Sequence, residues 1–387
     1  MTSIHSASDS VMIVAGEASG DLHGAGLVKA MLEKRPGLHF FGMGGWELKR
    51  AGVEVVCDAD KLAVMGLTEI FSVLKDILTT LRILKKEMRA RKPRLLVLID
   101  FADFNIRLAR EAERCGIPVF YYITPKVWVW RKRRVKQLAR YVDTAGVILP
   151  FEEEYLCKNG VNAEYVGNPV LDAVHVNMER SEFCRKYNID FGKTLVGILP
   201  GSRRKEISSL LPVFLEAARR MQLKYSKEIA FLIPLASTLS MADLQKNGLQ
   251  DYQNELDIHV LSGDRYETMA ACDAVVAASG TVTLELAVLD IPMVVAYKVD
   301  PVTYFVARFL INIPFFSLVN IIAHKSVVTE LLQDQVTSAA VEIELARILF
   351  DENVRKYMKK DFQDIRHALG GPGASLKAAE LALRTMA

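Results

Sequence analysis

Two short turns in the second half of the chain carry residue types that bind phosphate. Gly201-Ser202-Arg203 follows the apolar run 195–199 and precedes a helical pattern beginning near Glu206. Glycine lets the backbone approach an anion, serine adds a hydroxyl donor, and the arginine guanidinium offers a fixed fork of donors. Alone, the triplet is equally an ordinary strand-to-helix turn with a surface arginine. Ala278-Ser279-Gly280-Thr281 repeats the design after the run 274–277. A helix starting there turns its unpaired N–H groups towards the turn. Glu285, about one helical turn beyond Thr281, is spaced to accept hydrogen bonds from both hydroxyls of a ribose. The competing reading is a helix cap by Ser279 or Thr281, with Glu285 on a solvated face. Two anion-suited turns in one half of the chain favour a nucleoside diphosphate.

The first half holds a different set. Gly16-Glu17-Ala18-Ser19-Gly20-Asp21-Leu22-His23-Gly24 lacks the GxGxxG spacing of a dinucleotide site. Its acidic residues would repel a bare pyrophosphate and suit sugar hydroxyls. Asp100 ends the wholly apolar run Leu95–Ile99, where a carboxylate can serve as a general base. The alternative is a cap for the next helix, a role that suits Asp103 better; His23 is the second candidate for the base. Lys126-Val127-Trp128-Val129-Trp130 leads into Arg131-Lys132-Arg133-Arg134. A charge run is ordinarily a solvated helix face, but two neighbouring tryptophans also suit an anionic interface. The apolar stretches 62–78 and 301–322 are either core or a surface that meets lipid.

The elements that position these residues follow one scheme of strand, turn and helix. Short β-branched runs without polar alternation predict parallel strands buried on both faces. One series comprises 11–15, 39–41, 95–99, 119–122 and 145–149. A second comprises 195–199, 229–233, 259–261, 274–277 and 293–296. Between them lie Gly167-Asn168-Pro169-Val170-Leu171-Asp172 and a polar stretch to Lys193, which read as the linker. The 387 residues exceed what one core normally serves, so the sequence predicts an α/β chain of two domains. In open α/β sheets ligands bind at the carboxyl ends of the strands, where strand order reverses. With 51% apolar residues, 25% charged residues and a net charge of +3, the chain is globular and has no strong field for nucleic acid. Five scattered cysteines argue for a reducing compartment and against a zinc site. The first ten residues lack the apolar segment of a secretory signal. The best spanning candidate, 305–322, is interrupted by Arg308, Asn312, Pro314 and Asn320, which predicts a cytoplasmic location.

Taken together, these motifs resemble the lipid-A-disaccharide synthase family. Gly16 to Asp21 matches its GEASGD signature, and Tyr122-Ile123-Thr124-Pro125-Lys126-Val127-Trp128-Val129-Trp130 resembles its double-tryptophan motif. Leu199-Pro200-Gly201-Ser202-Arg203, Ser279-Gly280-Thr281 through Glu285, and Val327-Val328-Thr329-Glu330-Leu331-Leu332-Gln333 follow in the family's order. The resemblance implies a GT-B fold, two Rossmann-like domains facing across a cleft. Residues 1–170 would take the acceptor, with a final helix of about 365–387 packing back on them, and residues 190–360 would take the donor. It implies inverting transfer from UDP-2,3-diacylglucosamine to the 6-hydroxyl of 2,3-diacylglucosamine 1-phosphate, without metal or other cofactor, peripherally on the inner membrane. A homo-oligomer is compatible with it. The implied donor residues are Gly201, Ser202, Arg203, Ser279, Gly280, Thr281, Glu285 and Asn320. Glu17, Ser19, Asp21, Asn105 and Trp128 would meet the acceptor, with Asp100, or secondly His23, as base. The alternatives are another GT-B enzyme acting on UDP-N-acetylglucosamine, a wall-precursor transferase or a 2-epimerase, and a non-catalytic lipid-binding protein. Asn168, Val319 and His324 depart from the family pattern, which has His, Pro and a small residue there.

Overall fold

The computed structural model describes residues 9–59, 70–128, 133–225, 228–236, 238–299, 304 and 314–387. Most of the two apolar stretches, and Trp130 with the first half of the basic run, lie outside the described residues. The chain divides into two compact units, Met1–Asp172 with Gly371–Ala387, and Ala173–Gly370.

The sheet of the first unit has seven parallel strands: β1 (Ser10–Ala15), β2 (His39–Gly44), β3 (Glu54–Asp58), β4 (Leu95–Ile99), β5 (Val119–Tyr122), β6 (Thr144–Val147) and β7 (Ala163–Tyr165). Their order is β3-β2-β1-β4-β5-β6-β7, so it reverses between β1 and β4. Ala15 pairs with Ile99, and the loops that begin at Gly16 and Asp100 therefore leave the sheet side by side. Successive residues serve opposite faces. Met12, Val14, Leu96 and Leu98 join a core with Leu84 and Met88 of helix Ile70–Arg91. Val11, Ile13, Val97 and Ile99 join another with Leu27 and Val28 of helix Ala18–Lys34.

That second face is completed by the end of the chain. Helix Ala374–Met386 puts Ala378, Ala379, Leu381 and Ala382 against it. Its start is fixed by Asp172, whose carboxylate accepts the N–H groups of Gly373 (2.5 Å) and Ser375 (2.8 Å). The helix before it, Glu352–Leu369, belongs to the second unit, so the returning helix begins at Ala374 rather than near 365.

The second sheet holds β8 (Thr194–Leu199), β9 (Ile229–Pro234), β10 (Ile258–Leu261), β11 (Ala274–Ala278), β12 (Met293–Tyr297) and β13 (Thr329–Leu332). All are parallel, in the order β10-β9-β8-β11-β12-β13. Here the reversal falls between β8 and β11, and Leu199 pairs with Ala277. The stretch read as a linker is structured. Helix Arg180–Lys186 buries Phe183 and Cys184, and Arg180 grips Asp273 with two hydrogen bonds of 2.7 and 3.0 Å.

Two residues assigned to chemistry from sequence are built into the first unit. Asp21 is buried, and its carboxylate accepts the N–H groups of Gly45 (2.7 Å), Glu47 (2.8 Å) and Leu48 (3.3 Å), holding the turn after β2. Those bonds turn it away from a sugar hydroxyl. His23 lies in the packed helix Ala18–Lys34, and burial lowers its pKa to about 4, against the opposing charge of Asp172. Burial keeps it neutral near pH 7, and the same burial in the packed helix, not its basicity, sets it apart from the half-exposed Asp100.

Asp21→Ala leaves three backbone amides without their acceptor and should cost about 1–3 kcal/mol in urea unfolding, with UDP affinity unchanged. His23 makes a signed prediction. Its folded pKa is depressed, so its contribution to stability is complete above pH 6.5 and lost as pH falls towards 4. Unfolding followed from pH 7.5 to 4.5 should show a loss approaching about 3 kcal/mol that His23→Leu removes.

Candidate active site

The backbone where β4 ends is strained. Asp100 and Phe101 both lie in the left-handed region, with φ of 45° and 47°, and Ile123, which follows the neighbouring β5, has φ of 60°. Non-glycine residues held there cost on the order of 1–3 kcal/mol each and persist only where the surroundings impose them. Here the restraints are specific. Asn105 Nδ2 donates to the carbonyls of Asp100 (2.8 Å) and Ile99 (3.1 Å), Tyr121 donates its hydroxyl to the Asp100 carbonyl, and Asp100 N donates to Ile123 O at 3.2 Å. The Phe101 ring fills the space over Gly16, where an added Cβ would stand 2.4 Å from it. The half-exposed Asp100 side chain thus leaves the sheet from a fixed main chain beside the Gly16 loop, where Glu17 and Ser19 are also half-exposed.

Asn105 does not fit the acceptor role read from sequence. It is wholly buried, and its amide clamps the β4 turn. Asp103 lies in the first turn of the helix Ala102–Cys115, where it is exposed and forms an ion pair with Arg134. Trp128, after β5, is half-exposed, its ring edge-on to Phe151 at 4.9 Å, and its Nε1 donates to Glu152 at 3.0 Å. Sequence reasoning passed over Glu152. It is buried behind the end of β6, where burial pushes its carboxyl up to about 7. The signal was there in Pro150-Phe151-Glu152, a proline and an acid in the first turn of a helix. Lys126, read from sequence only as the start of the tryptophan motif, interacts electrostatically with Asp100, Glu152 and Glu17.

In the second unit the two phosphate-suited turns follow β8 and β11, on either side of the reversal. Gly201 has φ of 112°, and a Cβ there would meet the Glu206 carboxylate at 2.2 Å. Glu206 accepts the N–H groups of Ser202 (3.0 Å) and Arg203 (3.3 Å), so the amides of this turn already hold a carboxylate. The Arg203 side chain is 64% exposed, enough to reach an incoming group. Ser279 donates its hydroxyl to Phe316 O at 3.3 Å, and a Cβ on Gly280 would meet nothing within 4 Å. Neither Ser279 nor Thr281 caps the helix Val282–Val288 with its side chain. Glu285 is buried and paired with Arg265; burial raises its pKa and the arginine opposes the rise.

Asn320 is bonded within its own loop. Its amide donates to Val328 O and Glu330 Oε1, both at 2.9 Å, and its carbonyl accepts Val327 N (2.8 Å) and Val328 N (3.0 Å). With both ends engaged in the loop before β13, it organises that loop. The departures from the family pattern each fit their local backbone. Asn168 is buried, donating to Ile148 O and accepting Val170 N. His324 has φ of 53°, a conformation that glycine adopts most readily. Val319 sits in the first turn of helix Leu318–Ala323, where proline is also tolerated.

Comparison with known proteins identifies the family and the fold of the chain. Residues 11–385 match the family model described as lipid-A-disaccharide synthetase. The lipid-A-disaccharide synthase of Syntrophus aciditrophicus is 44% identical over 376 residues, covering 96% of this chain and 97% of that one. That of Geobacter metallireducens is 42% identical, covering 97% of each. Among solved structures, UDP-GlcNAc 2-epimerase from Neisseria meningitidis bound to UDP-GlcNAc has a TM-score of 0.67 at 13% identity, covering 97% of this chain and 100% of that one. MurG from Acinetobacter baumannii has a TM-score of 0.58 at 15% identity, covering 97% and 99%. These likenesses show the fold, GT-B, and the sequence relatives show more: the chain belongs to the lipid-A-disaccharide synthetase family.

Proposed function

We infer that this chain transfers 2,3-diacylglucosamine from UDP-2,3-diacylglucosamine to the 6-hydroxyl of 2,3-diacylglucosamine 1-phosphate, giving the β(1→6) disaccharide 1-phosphate and UDP. The observation that carries this reading is the family match over residues 11–385, which takes in both sets of strand-end residues. The likeness to an epimerase stops at 13% identity and gives no comparable support for that activity.

The donor falls to the second unit. Gly201, Ser202, Ser279, Gly280 and Thr281 supply backbone and hydroxyl donors to the diphosphate, and Arg203 adds positive charge as UDP departs. A diphosphate that reaches the Ser202 and Arg203 amides displaces the Glu206 carboxylate from them. Glu285 takes the ribose hydroxyls, sharing its charge with Arg265. The acceptor falls to the first unit, against Glu17, Ser19 and Trp128. Asp100 removes the proton of the attacking hydroxyl as the bond to the anomeric carbon forms on the face opposite the leaving UDP, which inverts that carbon. Both substrates carry acyl chains that hold them in a bilayer, so the chain works peripherally on the cytoplasmic surface of the inner membrane.

The direct test is incubation with both diacylated substrates and mass spectrometry for the disaccharide 1-phosphate; UDP release without an acceptor would instead point to an epimerase or hydrolase. Asp100→Asn keeps the size and tolerates the left-handed backbone well. It should lower kcat by about 10²–10⁴, with UDP affinity intact. Near-normal turnover would remove Asp100 from the chemistry, and loss of UDP binding would make it structural. Arg203→Ala should weaken UDP binding by about 1.5–3 kcal/mol in calorimetry, and an unchanged affinity would exclude Arg203 from the donor site.

A further inference from the structure

The contacts around Trp128 are more elaborate than the packing of one aromatic ring requires. The loop after β5 carries the indole, and the helix Pro150–Lys158 after the adjacent β6 carries its two partners, Phe151 and Glu152. Phe151 meets the ring at an interplanar angle of 84°. The two carboxylate oxygens of Glu152 divide their work. Oε2 accepts Leu149 N at 3.1 Å and closes the first turn of its own helix. Oε1 accepts the indole N–H of Trp128 at 3.0 Å, on the other loop. Capping the helix does not account for the bond of Oε1 to the indole, which reaches across to another loop. An indole has two side-chain torsions and a single donor, so a ring edge and an acceptor together fix its plane. Trp128 keeps a half-exposed surface, and an aromatic face suits the C–H face of a pyranose ring.

We propose that Glu152 is a positioning residue for the acceptor, holding the Trp128 indole as a fixed platform for the acceptor sugar at the carboxyl ends of β5 and β6. This rests on the reading above that the first unit takes the acceptor. The carboxylate binds the indole N–H more strongly when ionised than when protonated. Burial raises its pKa to about 7, while the Trp128 hydrogen bond, the Leu149 and Ile148 amides and the Lys126 charge lower it. Among the described residues, Lys126 from the loop after β5 and Tyr165 from β7 are the titratable groups that interact with it. Near pH 7 the grip on the indole therefore strengthens as pH rises.

Two measurements on the full chain test this. The first is steady-state kinetics, varying acceptor and donor separately, for the wild type, Glu152→Gln, Trp128→Phe and the double variant. Glu152→Gln should raise the acceptor KM about tenfold, the scale of one hydrogen bond to a charged group, with kcat and donor KM within about twofold. In the Trp128→Phe background the same substitution should add nothing further. An equal effect in both backgrounds, a change confined to kcat or donor KM, or no change at all would reduce Glu152 to a helix cap. The second is indole emission against pH in a variant whose only tryptophan is Trp128, made with Trp46→Phe and Trp130→Phe. Emission should titrate with a midpoint near 7 and lose that transition with Glu152→Gln. The titration needs no turnover. A chain that titrates but forms no disaccharide therefore defeats the reaction assignment alone, and a flat titration defeats the Glu152–Trp128 coupling alone.

Discussion

A strand covered by helices on both faces has no room along its length for a charged side chain. In β1, β4 and β11 the residues are buried throughout apart from the half-buried Ser10 at the start of β1, and almost all are aliphatic. Because every strand runs parallel to its neighbours, each connection must recross the sheet, and the carboxyl ends of the strands all lie on one edge. Polar chemistry is thereby confined to the loops on that edge. It concentrates where the strand order reverses, since adjacent connections there depart to opposite faces. Gly16 and Asp100 in one sheet, and Gly201 and Ser279 in the other, all follow from that one constraint.

Among the carboxylates at these edges, burial and geometry separate two kinds of work. Asp21, Asp172 and Glu206 each accept two or three backbone N–H groups and so give short loops a definite shape. Within β13 itself, Glu330 does the same for Phe316 and Ser317 while also binding Asn320. Asp100 is gripped differently: Asn105 and Tyr121 hold its main-chain carbonyl, so the backbone is pinned and the side chain is carried along with it. A carboxylate that is itself the anchor is a poor base, because protonating it loosens the loop that it anchors.

The strands at the sheet centres were legible in the sequence because a short, continuous apolar run between turn residues fits little besides a strand buried on both faces. β3, β7 and β13 were not. They lie at sheet edges, and their burial is partial and irregular, so no such run marks them. The turns themselves were found through glycine and hydroxyl residues, but the roles of single polar residues were less readable. Asp21, Asn105 and Asn320 have the residue types of a binding site, and the structure shows each bonded to main-chain groups distant in sequence or hidden inside a turn. Nothing in residue type or spacing separates an asparagine that binds a ligand from one that closes a loop. Glu152 illustrates the reverse case, since its partner Trp128 is on another loop and only the pairing of β5 with β6 brings them together.

The return of the last helix to the first sheet has a consequence for synthesis. The first unit is interrupted after Asp172 and resumes only at Gly371, about 200 residues later. Until then the face bearing Phe120, Tyr122 and Val166 lacks the cover of Ala378 and Leu381, and the Asp172 carboxylate has no amides to cap. At roughly 5–20 residues per second, a ribosome needs about 10–40 s to make the intervening chain. The second unit, contiguous in sequence, emerges complete during that interval. The part that begins first is therefore the part that finishes last, and its uncovered apolar face is the surface that a nascent chain must shield from its neighbours.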